Sequence, residues 1–251
     1  MATLTYRVAA FEQRIVDNMP MPRPSKPLIR RDAVVEASLR IIDTEGLDAF
    51  SLPRLARELN VQAPSLYHHF TDKAEILKAV ARAIVVETRL PDPTSVPNWM
   101  EWLVALSLAF RDSMLRHHNA VPLLLQFMPR DVLIRNYNDS AIYLTEIGVP
   151  LDQVVLILDG LDKLTLGAGI TEAMHGDDGR GRLFANADPA TEPVLVAAAA
   201  ANQRSATGAF AEAIRSFLRG AAPNVPDSAP PPQHWGEFGS AITEFKEPTA
   251  S

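Results

Sequence analysis

Gln62, Ser65, Tyr67, His68 and His69 place an amide, a hydroxyl, a phenol and two imidazoles within eight residues, in the stretch QAPSLYHHF. Leu66 and Phe70 stand at i and i+4, so a helix there turns both inward and leaves the hydrogen-bonding heads facing out. That chemistry is recognition rather than bond breaking. A helix of about two turns carrying such heads is short enough to lie in a DNA major groove about 12 Å wide, where amides, imidazoles and hydroxyls meet base edges and phosphates. Reaction chemistry has no comparable footing. No Gly-rich phosphate loop, Gly-x-Ser-x-Gly or His-Glu-x-x-His occurs, and the absence of Cys removes thiolate nucleophiles, zinc thiolate sites and disulfides together. The pairs His68/His69 and His117/His118 are no natural chelates, because adjacent helical positions point about 100° apart, unlike an i, i+4 pair. The expectation is no enzyme, no metal and no cofactor.

The elements that must position those heads are legible. Ser51 is a good N-cap and Pro53 sits where a missing N–H costs nothing, so a helix starts at Leu52. Leu52, Leu55, Ala56 and Leu59 form one apolar stripe, leaving Arg54, Arg57 and Glu58 on the wet face. Asn60 stands where a left-handed residue closes a helix, and Val61 plugs the corner. The second helix begins near Ala63, with Pro64 in its first turn. Ahead of this unit, a helix over about 29–44 carries Val34, Ala37 and Ile41 beside Val35, Leu39 and Ile42, and ends at Gly46. Behind it, Asp72 with Glu75 resembles a capping box opening a long helix to about residue 89, where Pro91, Pro93 and Pro97 break it. The reading is a helix-turn-helix head on a connecting rod.

The run AVVEASLRIIDTEGLDAFSLPRLARELNVQAPSLYHHFTDKAEIL, residues 33–77, strongly resembles the DNA-binding domain of the tetracycline-repressor (TetR) family. Its marks are the Glu-Gly after the first helix, Leu-Ala-x-Glu-Leu, Leu-Tyr-x-His-Phe and the following Lys73. The resemblance implies an all-α fold, in which a three-helix DNA-binding domain is joined by a long helix to a helical ligand-binding and dimerisation domain. It also implies roles. Gln62 and His68 would meet base edges, Ala63 and Pro64 thymine methyls, Tyr67 and Lys73 phosphates, and Arg54 either; Ser51 and Ser65 complete the set expected at DNA. Pro53 replaces the arginine with which the tetracycline repressor reads guanine, so the operator must differ.

The charge of the chain is segregated. Of a formal −6, residues 23–90 carry 11 basic and 9 acidic side chains and residues 91–251 carry 11 and 19. A weakly basic head can hold phosphates while an acidic body stays off the duplex. Length, 47% apolar composition and the lack of a membrane-length apolar run imply a globular cytoplasmic protein of two modest domains. The expected divisions are 1–28, an over-extended start or a basic arm through Arg23 and Lys26; 29–90, the head and connecting helix; 91–221, the ligand-binding and dimerisation domain; and 222–251, a Pro-rich disordered tail.

The body should be helical over 98–117, about 120–127, 130–147, 151–175 and 192–219, with a polar loop over 176–189. Residues 98–173 are similar to the ligand-binding domain of the family's namesake. By that resemblance Leu124 stands for a magnesium-binding histidine, Phe127 and Met128 for a Thr-Arg pair, and Ser140 for a Gln, which implies that a polar drug site has become apolar. The expected pocket comprises Trp102, Leu106, Phe110, Leu124, Phe127, Met128 and Tyr137, with Leu103 and Leu166 adjoining and His117, Asn119 or Thr171 as polar anchors. Any one of them alone is better read as plain core; the pocket rests on the set. The expected dimer seam is Val154, Ile157, Leu158, Leu161 and Thr165, with Gly167 and Gly169 permitting close approach, together with Ala213, Ile214 and Phe217, in a four-helix bundle. The function implied is a repressor that leaves a palindromic operator when a small apolar or aromatic effector binds. An activator of the same fold, or a ligand-binding helical protein without an operator, is the alternative. The partners are double-stranded operator DNA, a second copy and the effector, with no membrane.

Overall fold

The computed structural model describes residues 29–174, 184 and 186–233. The arm expected over 1–28, most of the loop expected over 176–189 and the end of the tail lie outside them. Every regular element among the described residues is a helix, and none is long and apolar enough to cross a membrane.

Helix α1 (Arg31–Glu45) buries Val34, Ala37, Ile41 and Ile42 and stops at Gly46, whose φ of 88° suits a residue without a Cβ. A 3-10 turn (Leu47–Ala49) leads into α2 (Leu52–Glu58), where Ser51 Oγ accepts from Arg54 N at 3.3 Å. Asn60 adopts φ 52° and Val61 N returns to Ala56 O at 2.9 Å, a left-handed closure.

The next limb departs from expectation, because Ala63–His68 is a 3-10 helix rather than two turns of α-helix. Ser65 N bonds Gln62 O at 2.9 Å, and only at its end does Phe70 N reach Leu66 O in the wider α pattern, at 3.1 Å. The limb must bury both Leu66 and Phe70 within the few residues between the Asn60 corner and the Asp72 cap. A 3-10 coil covers that distance at about 2.0 Å per residue against about 1.5 Å for an α-helix. Helix α3 (Lys73–Val86) then opens on half of the expected box: Asp72 accepts from Glu75 N at 2.8 Å, but Glu75 reaches back one residue further, accepting from Thr71 N at 2.6 Å.

The body holds α4 (Trp99–Arg116), a 3-10 turn (His118–Ala120), α5 (Val121–Phe127), α6 (Arg130–Glu146), α7 (Leu151–Met174), α8 (Pro193–Ala201) and α9 (Ala206–Ala221). The single helix expected over 192–219 is two. Asn202 turns extended, and Ser205 starts a new helix by accepting from Gly208 N at 3.0 Å, a cap hidden in the Ala-rich run.

Two apolar cores result, and their border is not the expected domain border. The head's core runs from Val34 to Val85 and continues without a break into Met114, Ala120, Val121, Leu123, Leu124 and Val132 of the body. The second core gathers Trp99, Trp102, Leu103, Leu144, Ile157, Ile214 and Leu218.

The disordered tail expected from residue 222 is also corrected over 222–233. Trp99 Nε1 donates to Pro226 O at 3.1 Å, Trp99 N to Ala229 O at 3.0 Å and Tyr143 Oη to Pro230 O at 2.6 Å, while Val225 and Pro232 are buried. Prolines keep their carbonyls as acceptors, and a strap made of them suits aromatic donors at a core's rim.

Candidate nucleic-acid interface and the helices behind it

Gln62, Pro64, Tyr67 and His68 project as one exposed surface from the limb after the Asn60 corner, with Ala63, Ser65 and His69 half-buried at its edge. The inward residues Leu66 and Phe70 are 1% and 2% exposed, so the limb is pinned from below. Arg31, which sequence reasoning passed over, pins it from the side. Its guanidinium lies 4.2 Å from the centre of the Phe70 ring, donates to His69 O at 2.6 Å and pairs with Glu75 at 2.8 Å. The available signal was a cation opening α1 before a limb that ends in an aromatic residue, and only the fold brings the two together.

Three of the residues expected at DNA also make structural bonds within the head. Ser51 spends its oxygen on the α2 cap. Arg54 is not on a free wet face: it pairs with Glu45 at 2.6 Å and with Glu58 at 3.0 Å, which raises its pKa and ties α2 to the end of α1. Lys73 donates to Phe50 O at 2.8 Å with its ammonium 5.3 Å from the Phe50 ring, holding the turn ahead of α2; one of its three protons is thereby taken.

The residues expected to form one effector pocket are divided between the two cores. Trp102 is buried in the second core, edge-on to Tyr143 with centroids 5.4 Å apart, and Leu106 packs beside that core. Leu124 is buried in the first core, with Phe110, Phe127, Met128 and Leu166 partly buried against it. Tyr137 donates to Asp162, and burial pushes the pKa of both groups up. Thr171 is corrected as an inward anchor: it is exposed and its hydroxyl donates back to Gly167 O at 2.7 Å. His117 is corrected too. Its ring lies at the end of α4 between Asp43 and Glu87, 2.8 Å from each, and Asn119 Nδ2 donates to Asp43 O at 2.9 Å. Sequence reasoning also missed Arg111 of α4, 3% exposed, paired through two nitrogens with Glu172 of α7 and 5.7 Å from the centre of the Phe210 ring.

The expected dimer seam is mostly interior to the subunit. Val154, Ile157, Leu161 and Thr165 are buried, Ile214 is 0% exposed, Leu158 and Phe217 pack on the same second core, and only Ala213 is exposed. Phe217 rests on Gly160 and Met114 on Gly169, so these glycines admit the subunit's own α9 and α4; Gly167 faces open space. The physical reason is that α7 carries apolar side chains on more than one face. The stripe that sequence spacing selected is the one its own neighbours need, and the face left over carries Leu151, Val155 and Leu156, all more than half exposed.

Comparison with known proteins gives the same architecture. Residues 34–80 match the family model described as bacterial regulatory proteins, tetR family. The tetracycline repressor protein class A from transposon 1721 of Escherichia coli is 25% identical over 197 residues, 77% of this chain and 91% of the repressor. Apo ActR from Streptomyces coelicolor superposes with a TM-score of 0.64 at 21% identity, covering 80% of this chain and 98% of ActR. ActR in complex with actinorhodin superposes with a TM-score of 0.63 at 22% identity, covering 78% and 98%.

Proposed function

We propose, from the premise that this chain belongs to the tetR family of bacterial regulatory proteins, that it is a repressor which holds a palindromic operator as a homodimer and leaves it when a small apolar or aromatic effector binds the body. The observation that carries the reading is the exposed set Gln62, Pro64, Tyr67 and His68 on a limb pinned by Leu66, Phe70 and Arg31. A preorganised surface of this kind loses little freedom on docking. Gln62 and His68 are the base readers and Tyr67 a phosphate contact, with Ala63, Pro64 and Ser65 against the groove floor.

One such limb covers a half-site, and two must sit about 34–36 Å, or a multiple of it, apart to be read together. The exposed apolar face of α7 at Leu151, Val155 and Leu156 supplies the seam. The body's ligand role is carried over from ActR, which holds actinorhodin. The effector sits against the partly buried Phe110, Phe127, Met128 and Leu166. From there it bears on α5, whose Phe127 ring lies 5.9 Å from Lys78 Nζ of α3. It shifts the head only by the difference in its affinity for the two arrangements, so operator and effector release one another reciprocally.

The test is selection from random duplexes at low salt, using the purified full chain. An inverted repeat should be enriched; Gln62→Ala should relax preference at one position of each half-site by about 1–3 kcal/mol, and Tyr67→Ala should weaken all sequences evenly. Absence of any enriched sequence overturns the reading. Titrating apolar aromatic compounds, and separately tetracycline with magnesium, against the complex tests the effector. Release by the metal–drug pair alone refutes the apolar class.

A further inference from the structure

We propose that His117 is a proton-operated clamp between the head and the body, closed when its imidazole is charged and loosened when it is neutral. The inference rests on the DNA-binding reading above for its consequence, but not for its chemistry. His117 caps α4, where the chain turns into the 3-10 segment. Its Nδ1 lies 2.8 Å from Asp43 Oδ2, near the end of α1, and its Nε2 2.8 Å from Glu87 Oε1, at the end of α3. A carboxylate only accepts, so both contacts are hydrogen bonds only when both ring nitrogens carry protons. A neutral ring turns one lone pair against a carboxylate oxygen.

The surroundings leave the clamp no substitute. Asp43 Oδ1 is buried without a partner, and Asn119 serves the Asp43 backbone carbonyl rather than its carboxylate. Glu87 faces the ring from the end of α3 and also takes Arg116 Nη2 at 3.1 Å, from the helix that bears His117, while the Ser113 hydroxyl of that helix donates to Ile84 O at 2.8 Å and lies 3.3 Å from Glu87 Oε1. The charged groups at the junction are therefore Asp43, Glu87 and Arg116, with the exposed His118 next in sequence, and a charged His117 balances the two carboxylates. The Asp43 hydrogen bond, opposed by burial and aided by both carboxylate charges, raises the His117 pKa above that of an ordinary imidazole. A raised folded-state pKa stabilises fully below the ordinary value and ceases to do so as pH rises through the raised one. The clamp joins α1 and α3, which carry the reading limb, to α4 of the body. Closed, it fixes the helices that carry the limb against the body and so reduces the freedom lost on docking, which makes protons favour the operator complex.

The experiment uses the full chain. NMR titration of the imidazoles, with His117 assigned by its loss in H117Q, should give His117 a midpoint above those of exposed histidines, and D43N should lower it. A His117 midpoint at or below theirs overturns the clamp. On selected DNA, wild type should bind measurably tighter than H117Q near pH 6, with the gap closing as pH rises and the ring loses its second proton. Comparison with H117Q removes any contribution from His68 and His69. A ratio that stays constant or widens with pH overturns the regulatory role. If selection yields no operator, the DNA-binding reading falls alone, and the NMR midpoints decide the clamp.

Discussion

Arg31 and Glu75, 44 residues apart, meet at 2.8 Å, and through them the first residue of α1 grips the first turn of α3 on the far side of the reading limb. The pair closes a ring around Phe70, so the exposed surface above it has one orientation.

The pair predicts a signature in acid. The amide of Thr71 first, and Arg31 next, pull the Glu75 carboxyl down to about 2. A depressed folded-state pKa stabilises above the unfolded value and stops doing so as pH falls through the folded one. Wild type should melt above E75Q near neutrality, and the difference should close between about pH 4.5 and pH 2 in thermal scans.

Asn60 tests the corner. At φ 52° a Cβ-bearing residue is strained, and Asn tolerates the region better than Ala. Asn60→Ala should lose about 1 kcal/mol in urea unfolding, whereas Asn60→Gly should be close to neutral. Equal losses in both variants would contradict a backbone cause.

The two faces of α7 should answer differently to charge. Val155→Arg, at a side chain 71% exposed, should leave helicity intact and yield a monomer by light scattering. Leu161→Arg puts a cation into the second core and should unfold the body, by several kcal/mol. A folded monomer from Leu161→Arg would restore the seam at the buried stripe.

The strap over 222–233 should contribute measurably. Tyr143→Phe removes the bond to Pro230 O while keeping the ring against Trp102, and should cost about 1 kcal/mol in denaturant unfolding. No loss would mean that the strap packs without that bond.

What the sequence determined by itself is local. Ser51, Asn60, Asp72 and Gly46 act on backbone groups within a few residues, so each cap and corner was legible from residue type and spacing, as were Gln62, Tyr67 and His68 of the outward set, although Ser65 and His69 prove half-buried. Tertiary structure decided everything that depends on which of two plausible partners a side chain meets. Lys73 and Arg54 have cationic heads that suit phosphate and protein acceptors equally, and only the fold places Phe50 O and Glu45 within reach. His117 stands between Arg116 and His118 in sequence, with no carboxylate beside it, yet two carboxylates from distant helices close on it. An apolar helix such as α7 offers more than one stripe, and periodicity cannot say which faces its own subunit. That choice belongs to α4 and α9, whose Met114 and Phe217 settle over Gly169 and Gly160.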